Sequence, residues 1–232
     1  MKPNANNAKY AILFIWIVLI LGIAASISIY MQYNLLSTIQ SGHHITLAAA
    51  KANDSRQSII SILTLIAYIV SAVFFLRWFK TAYHNLGQKT DLRRTSGWAI
   101  GSWFIPLGNL FIPYEIMKEL YVETREYLEG KNCEVIAPLK TRYVGWWWAL
   151  WITCSVVGYA TAMPLIIETK GIEKVILATQ ISMAFHIIRI PLCLITIKVI
   201  KDYARIEPLL QQIDNQPPHA HPDQPPPLPT PA

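Results

Sequence analysis

Four apolar runs organise the chain, at roughly 10–31, 58–79, 144–167 and 174–197. Each approaches the length, about 20 residues, that a helix needs to cross a hydrocarbon core. Inside the last run the polar residues are not scattered. Thr179, Ser182, His186, Arg189, Cys193 and Thr196 follow one another in steps of 3, 4, 3, 4 and 3, which places all six on one helix face. The second run repeats the device with Ser61, Thr64, Tyr68 and Ser71. Small residues four apart, Gly22 and Ser26 in the first run and Cys154, Gly158 and Ala162 in the third, let helix backbones approach closely. The pattern predicts an all-α integral membrane bundle of four transmembrane helices. Small and polar residues form its seams and aliphatic faces meet lipid.

Between the second and third runs lies GSWFIPLGNLFIPYEIMKEL, residues 101–120. It is apolar, yet Pro106, Asn109 and Pro113 interrupt it. Proline removes a backbone donor and breaks the helical ladder, and hydrocarbon holds no water to satisfy what is freed. The basic residues decide its path, because Lys and Arg favour the cytoplasmic side of short loops. With Arg189 set aside inside a span, 19 of the 20 Lys and Arg count. If the N-terminus is cytoplasmic and the broken segment does not cross, 15 lie inside and only Lys51, Arg56, Lys170 and Lys174, 4 in all, lie outside. If it crosses, the tally becomes 9 against 10. The asymmetry survives only when the segment returns to its own side. Residues 98–114 therefore read as a re-entrant or interfacial element. Pro106, Gly108 and Asn109 form its turn, Trp98 and Trp103 lie near the headgroups, and a fifth span is the alternative.

Composition supports the membrane reading: 53% of the 232 residues are hydrophobic and only 15% charged, against roughly 25% charged in soluble domains. The net charge of +6 sits on the flanks of the spans, where it is a topology signal and not a nucleic-acid surface. Cys154 and Cys193 lie within spans and Cys133 alone in a loop, so no disulfide framework or zinc pattern exists. No metal or cofactor is expected. Residues 1–9 form a cytoplasmic N-terminal segment, 10–206 the transmembrane helical domain, and 207–232 a proline-rich, disordered C-terminal tail. The first run continues well past Ala24, Ala25 and Ser26, which marks an anchor more than a cleaved signal. EIMKELYVETREYLEG, with Ile116, Leu120 and Tyr127 near helical spacing, predicts an amphipathic helix along the inner surface. RYVGWWWALW opens the third apolar run as an interfacial aromatic anchor.

Arg189 is the most telling residue within a span. An arginine there costs at least ~2.5 kcal/mol and usually marks a pathway or a buried pair. No acidic residue lies inside any of the four runs. Glu115, the Asn109 carbonyl and Tyr68 are its candidate partners. The expectation is that Arg189, with His186 one turn away, clamps the tip of the broken segment; snorkelling to the inner headgroups is the alternative.

WF-x2-A-x2-N at Trp78–Asn85, a basic linker, and the W-F-x-P-x-x-N-L-x-x-P core at 103–113 together resemble the bacterial multi-pass membrane proteins of the domain-of-unknown-function 4328 family. The resemblance implies that Trp78, Asn85, Trp98, Trp103, Pro106, Asn109 and Pro113 are signature positions, that the host membrane is the bacterial cytoplasmic (inner) membrane, and that no activity is assigned. Without a nucleophile–base motif, paired intramembrane carboxylates or a Gly-rich phosphate loop, an enzyme is the weakest reading. A non-catalytic module that binds membrane lipids or a protein partner, through its cytoplasmic face or proline-rich tail, fits best. A small carrier or channel for an anionic solute, working as a homo-oligomer, is the alternative.

Overall fold

The computed structural model describes residues 1–131, 139–166, 171–210 and 212. The loop cysteine Cys133 and the proline-rich stretch from Asn215 onward lie outside them. Every regular element among the described residues is helical. Three helices are long and apolar enough to cross a membrane: α1 (Ala5–Gln40), α2 (Leu47–Leu86) and α6 (Ile172–Ile206). At 1.5 Å per residue the 36 residues of α1 extend about 54 Å, well beyond a hydrocarbon core of about 30 Å. The apolar runs thus mark only the middle of these helices. The more polar stretches beyond them, 34–40 and 48–57, continue the helices because neither contains Pro or Gly, and Thr46 caps α2 by accepting from the Ala49 N–H at 3.2 Å.

Along α1, Tyr10, Leu13, Trp16, Ile20, Ile23, Ile27 and Tyr30 are all exposed. Their spacing of three and four residues is one continuous apolar stripe, matched on α2 by Ile59, Ile62, Ile66, Ile69 and Val73. Contiguous apolar surface of this extent is not left to water.

The helices form an arc. α1 packs against both α2 and α6, and α5 (Thr141–Ile166) packs against α6. α2 and α5, the two ends of the arc, stand apart along most of their length. Gly158 admits α6 closely: a Cβ there would lie 3.2 Å from the Phe185 ring. The expected seam at Gly22 is different, since a Cβ at that position meets nothing within 4 Å.

One end of the arc is capped. There the short helix α3 (Trp98–Gly101) and the amphipathic helix α4 (Ile112–Glu129) gather the C-terminal ends of α2 and α6 and the start of α5. Trp78, Phe79, Tyr83, Ile116, Met117, Leu120, Tyr121, Ile200 and Tyr203 are fully buried. Tyr121 Oη donates to the Val199 carbonyl at 2.8 Å. The apolar face of α4 therefore meets protein, and not a membrane surface as its amphipathic pattern alone suggests. The same holds for the tryptophan run of α5: Trp147 and Trp148 point into the cap, and only Trp146 is exposed.

Candidate functional site

The sequence-marked residues separate into three places. Trp78 and Asn85 belong to the cap. Trp98, Trp103, Pro106, Asn109, Pro113 and Glu115 belong to the broken segment. His186 and Arg189 face the space inside the arc.

The broken segment bridges the two ends of the arc at the capped end. Trp103 is its wedge. The indole meets Phe75 of α2 edge-on at 6.0 Å and Trp151 of α5 at 5.4 Å, and donates its Nε1–H to the Ala99 carbonyl at 3.1 Å. Trp148 stacks on Trp151 at 4.6 Å and donates to the Leu110 carbonyl at 3.1 Å. Trp103 thus lies among aromatic side chains and not at an outer rim. The chain reverses at Leu107, whose φ of 63° and ψ of −40° form a γ-turn closed by the Gly108 N–H on the Pro106 carbonyl at 2.7 Å. Glycine fits at 108 with least disturbance, since a Cβ would lie 3.0 Å from the Ile105 side chain. Pro113 sits in the first turn of α4, where its missing N–H costs nothing. Phe104, Leu107 and Phe111 are left projecting outward at the tip, each more than 60% exposed.

Neither Asn109 nor Glu115 reaches Arg189. Glu115 pairs with Arg94 at 2.9 Å, while Glu119 accepts from Tyr83 Oη at 2.6 Å and from the Arg93 N–H at 2.9 Å. Those bonds anchor the basic linker onto α4. Arg189 instead turns into the arc, its guanidinium 5.6 Å from the Tyr68 ring and 5.3 Å from the Phe185 ring. The clamp is therefore overturned, and of the three candidate partners only Tyr68 is met. The reason is azimuthal: steps of three and four residues aim Arg189 at the gap between α2 and α5, whereas the tip lies below that gap.

The gap is a cavity of about 590 Å³. α1 forms its back through Ala25 and Ile29, α2 contributes Ser61, Thr64 and Tyr68, and α5 contributes Trp151, Cys154 and Ser155. α6 contributes Phe185, His186 and Arg189. Trp151, the lining residue of α5 nearest the cap, forms the cavity's floor and carries the Trp103 wedge. The broken segment therefore supports that floor from outside without lining the cavity. Several hydroxyls on these helices bond back to their own backbone, as Ser155 does to Trp151 and Thr196 to Leu192. Thr64 Oγ1 does not. It is buried without a hydrogen-bond partner, and so is His186 Nδ1. A buried polar group with no partner costs roughly 1–3 kcal/mol, which makes this cavity chemically unfinished. Trp78 Nε1 and Ser102 Oγ are also unpartnered, but they belong to the cap and do not line this space.

A second polar cluster lies in the cap and was not expected. The Glu207 carboxylate, only 7% exposed, accepts from Asn4 Nδ2 at 3.0 and 3.1 Å and from Asn85 Nδ2 at 2.7 Å. Asn85 also exchanges hydrogen bonds with the backbone of Lys2, both at 2.8 Å. The sequence pattern places Glu207 at the head of the proline-rich tail and Asn4 in a cytoplasmic N-terminal segment. The overlooked signal is the spacing of Ile200, Tyr203, Ile206 and Leu210, steps of three, three and four that keep one face apolar past the last basic residues. Burial holds the Glu207 carboxyl above the usual carboxylate range, although the two amide donors pull it the other way.

Residues 41–205 match a family model described as Domain of unknown function (DUF4328). No curated protein and no solved structure matches the chain.

Proposed function

The chain belongs to that family, whose description assigns no activity, and we propose that it is a multi-pass, non-catalytic module of a bacterial inner membrane that binds a lipid in the cleft between α2 and α5. In this reading α5 is the fourth span, and the capped end and both termini are cytoplasmic. The broken segment is re-entrant, presenting Phe104, Leu107 and Phe111 to the headgroup region. The 15-to-4 asymmetry of basic residues supports that orientation. So does the packing of both arms of the segment against the same end of the arc.

One observation carries the lipid reading. The arc leaves a cavity of about 590 Å³, within the roughly 300–1,000 Å³ of typical ligand sites, and its mouth opens sideways between apolar helices. Tyr68 and Tyr159, on the two rims, are both more than half exposed. A mouth at that level meets acyl chains before it meets water. Purification in mild detergent followed by lipid analysis tests the reading: a lipid retained in fixed stoichiometry is expected, and retention no better than that of an unrelated four-helix membrane protein overturns it. Reporters fused after Leu139 and after Ala232 should both be cytoplasmic.

A carrier for an anionic solute is the second reading, favoured by the cation in an open cleft. Single cysteines at positions 105, 109 and 112, in a background without the native cysteines, separate the two. Labelling of all three by a water-soluble thiol reagent indicates a wet pathway, and protection indicates a packed floor.

A further inference from the structure

The cleft's polar groups specify more than lipid. Resting on the lipid-binding reading above, we propose that the ligand is a long-chain carboxylic acid, its carboxylate held by Arg189 and its chain lying in the slot between α2 and α5.

Charge comes first. Arg189 has no carboxylate partner among the described residues; its neighbours are the Tyr68 and Phe185 rings. A guanidinium cushioned on aromatic faces keeps its planar fork free for a bidentate anion. One cation balances one negative charge, which fits a carboxylate and not a doubly charged phosphate monoester.

Hydrogen bonding comes second. Two residues of the cavity lining carry unpartnered polar atoms that rotation of the side chain can turn toward a ligand, Thr64 Oγ1 and His186 Nδ1. Both can donate, the imidazole in the tautomer that carries its proton on Nδ1. A carboxylate is an acceptor with about four lone-pair sites. It satisfies a guanidinium, a hydroxyl and an imidazole together, whereas an alcohol or a neutral ester meets only part of that set.

Depth comes third. Arg189 lies eight residues before Ile197, where α6 enters the cap, so about 12 Å from it at 1.5 Å per residue. A two-chain phospholipid keeps its large head at the interface, and drawing that head so far into hydrocarbon strips its hydration. A carboxyl group is small, and it sheds its charge when it leaves the interface and regains it beside the arginine. The remaining lining, including Ile29, Ile60, Leu65 and Leu192, suits a single methylene chain.

The test uses palmitate carrying a mid-chain diazirine, photolysed with the full chain in phosphatidylcholine nanodiscs and mapped by peptide sequencing. Saturable labelling around Tyr68 and Tyr159 is expected. Unlabelled palmitate should compete for it about tenfold or more better than hexadecanol, the margin of one charge-assisted hydrogen bond. Arg189→Gln should abolish that margin and Arg189→Lys should retain most of it, both with unchanged thermal unfolding. Equal competition by the acid and the alcohol overturns the carboxylate assignment and leaves the lipid-binding reading standing. Labelling spread evenly over the outer face of α1 as well, with no saturation at the slot, overturns both.

Discussion

The two halves of this molecule hold together by different means. In the cap, side chains as large as Trp78, Trp147, Tyr83, Tyr121 and Tyr203 are wholly enclosed, and a carboxylate joins three chain segments. In the cleft half, α2 buries little beyond Thr64, Ala67 and Ser71, and a cation rests on two aromatic rings. The cap resembles the core of a soluble protein, driven together by water. The cleft half presents its apolar surface outward, and in lipid the same drive between helices would be absent. Stability and binding should therefore be separable by position.

Substitution in the cap should show this most strongly. Trp78→Ala removes a fully buried indole and should cost about 3–5 kcal/mol, read as a large drop in unfolding temperature in detergent. A small drop would mean that the cap does not hold the fold. Glu207→Ala comes next. It leaves amide donors of Asn4 and Asn85 without their acceptor, at about 1–3 kcal/mol. The same residue gives the cap a pH dependence. Because burial raises its folded pKa, the folded state keeps a proton that the unfolded chain releases over the window between the ordinary and the raised value. The contribution is fully present below that window and lost as pH rises through it. Unfolding temperature should fall across the window, and Glu207→Gln should flatten the slope.

Two smaller effects sharpen the contrast. Leu107→Gly relieves the positive φ at the tip but loosens the unfolded chain, so a net gain of about 1 kcal/mol is expected. A loss would show that the exposed leucine itself holds the floor in place. Arg189→Leu should change stability least, by about 0.5 kcal/mol or less, because the guanidinium makes no ion pair or hydrogen bond among the described residues and only rests on the Tyr68 and Phe185 rings. A loss of several kcal/mol would restore the clamp.

Much of the architecture can be read from the chain because length and apolarity are one-dimensional. The centres of α1, α2 and α6 coincide with three of the apolar runs. Of the stripe Ser61, Thr64, Tyr68 and Ser71, Thr64 and Ser71 are buried, whereas Ser61 and Tyr68 are exposed along the open cleft. The depth of Arg189 is likewise a matter of counting. Its partner is not, since that depends on which helices stand side by side, and spacing within one helix does not encode the neighbour. Glu115 illustrates the point: acidic and near the right level, it is taken by Arg94 on the adjoining linker. Glu207 escaped notice because the prolines after it dominate the local composition. The phase of Tyr203 and Leu210 would have placed it in the core.

The bridge between Asn4 and Glu207 spans 203 positions of sequence. It ties the order of biogenesis to the order of the chain. α1 is made before α6, yet much of its packing is against α6, and the acceptor for Asn4 lies beyond that helix. α1 therefore keeps that flank uncovered until α6 has been made, and the Asn4 amide stays without Glu207 until then.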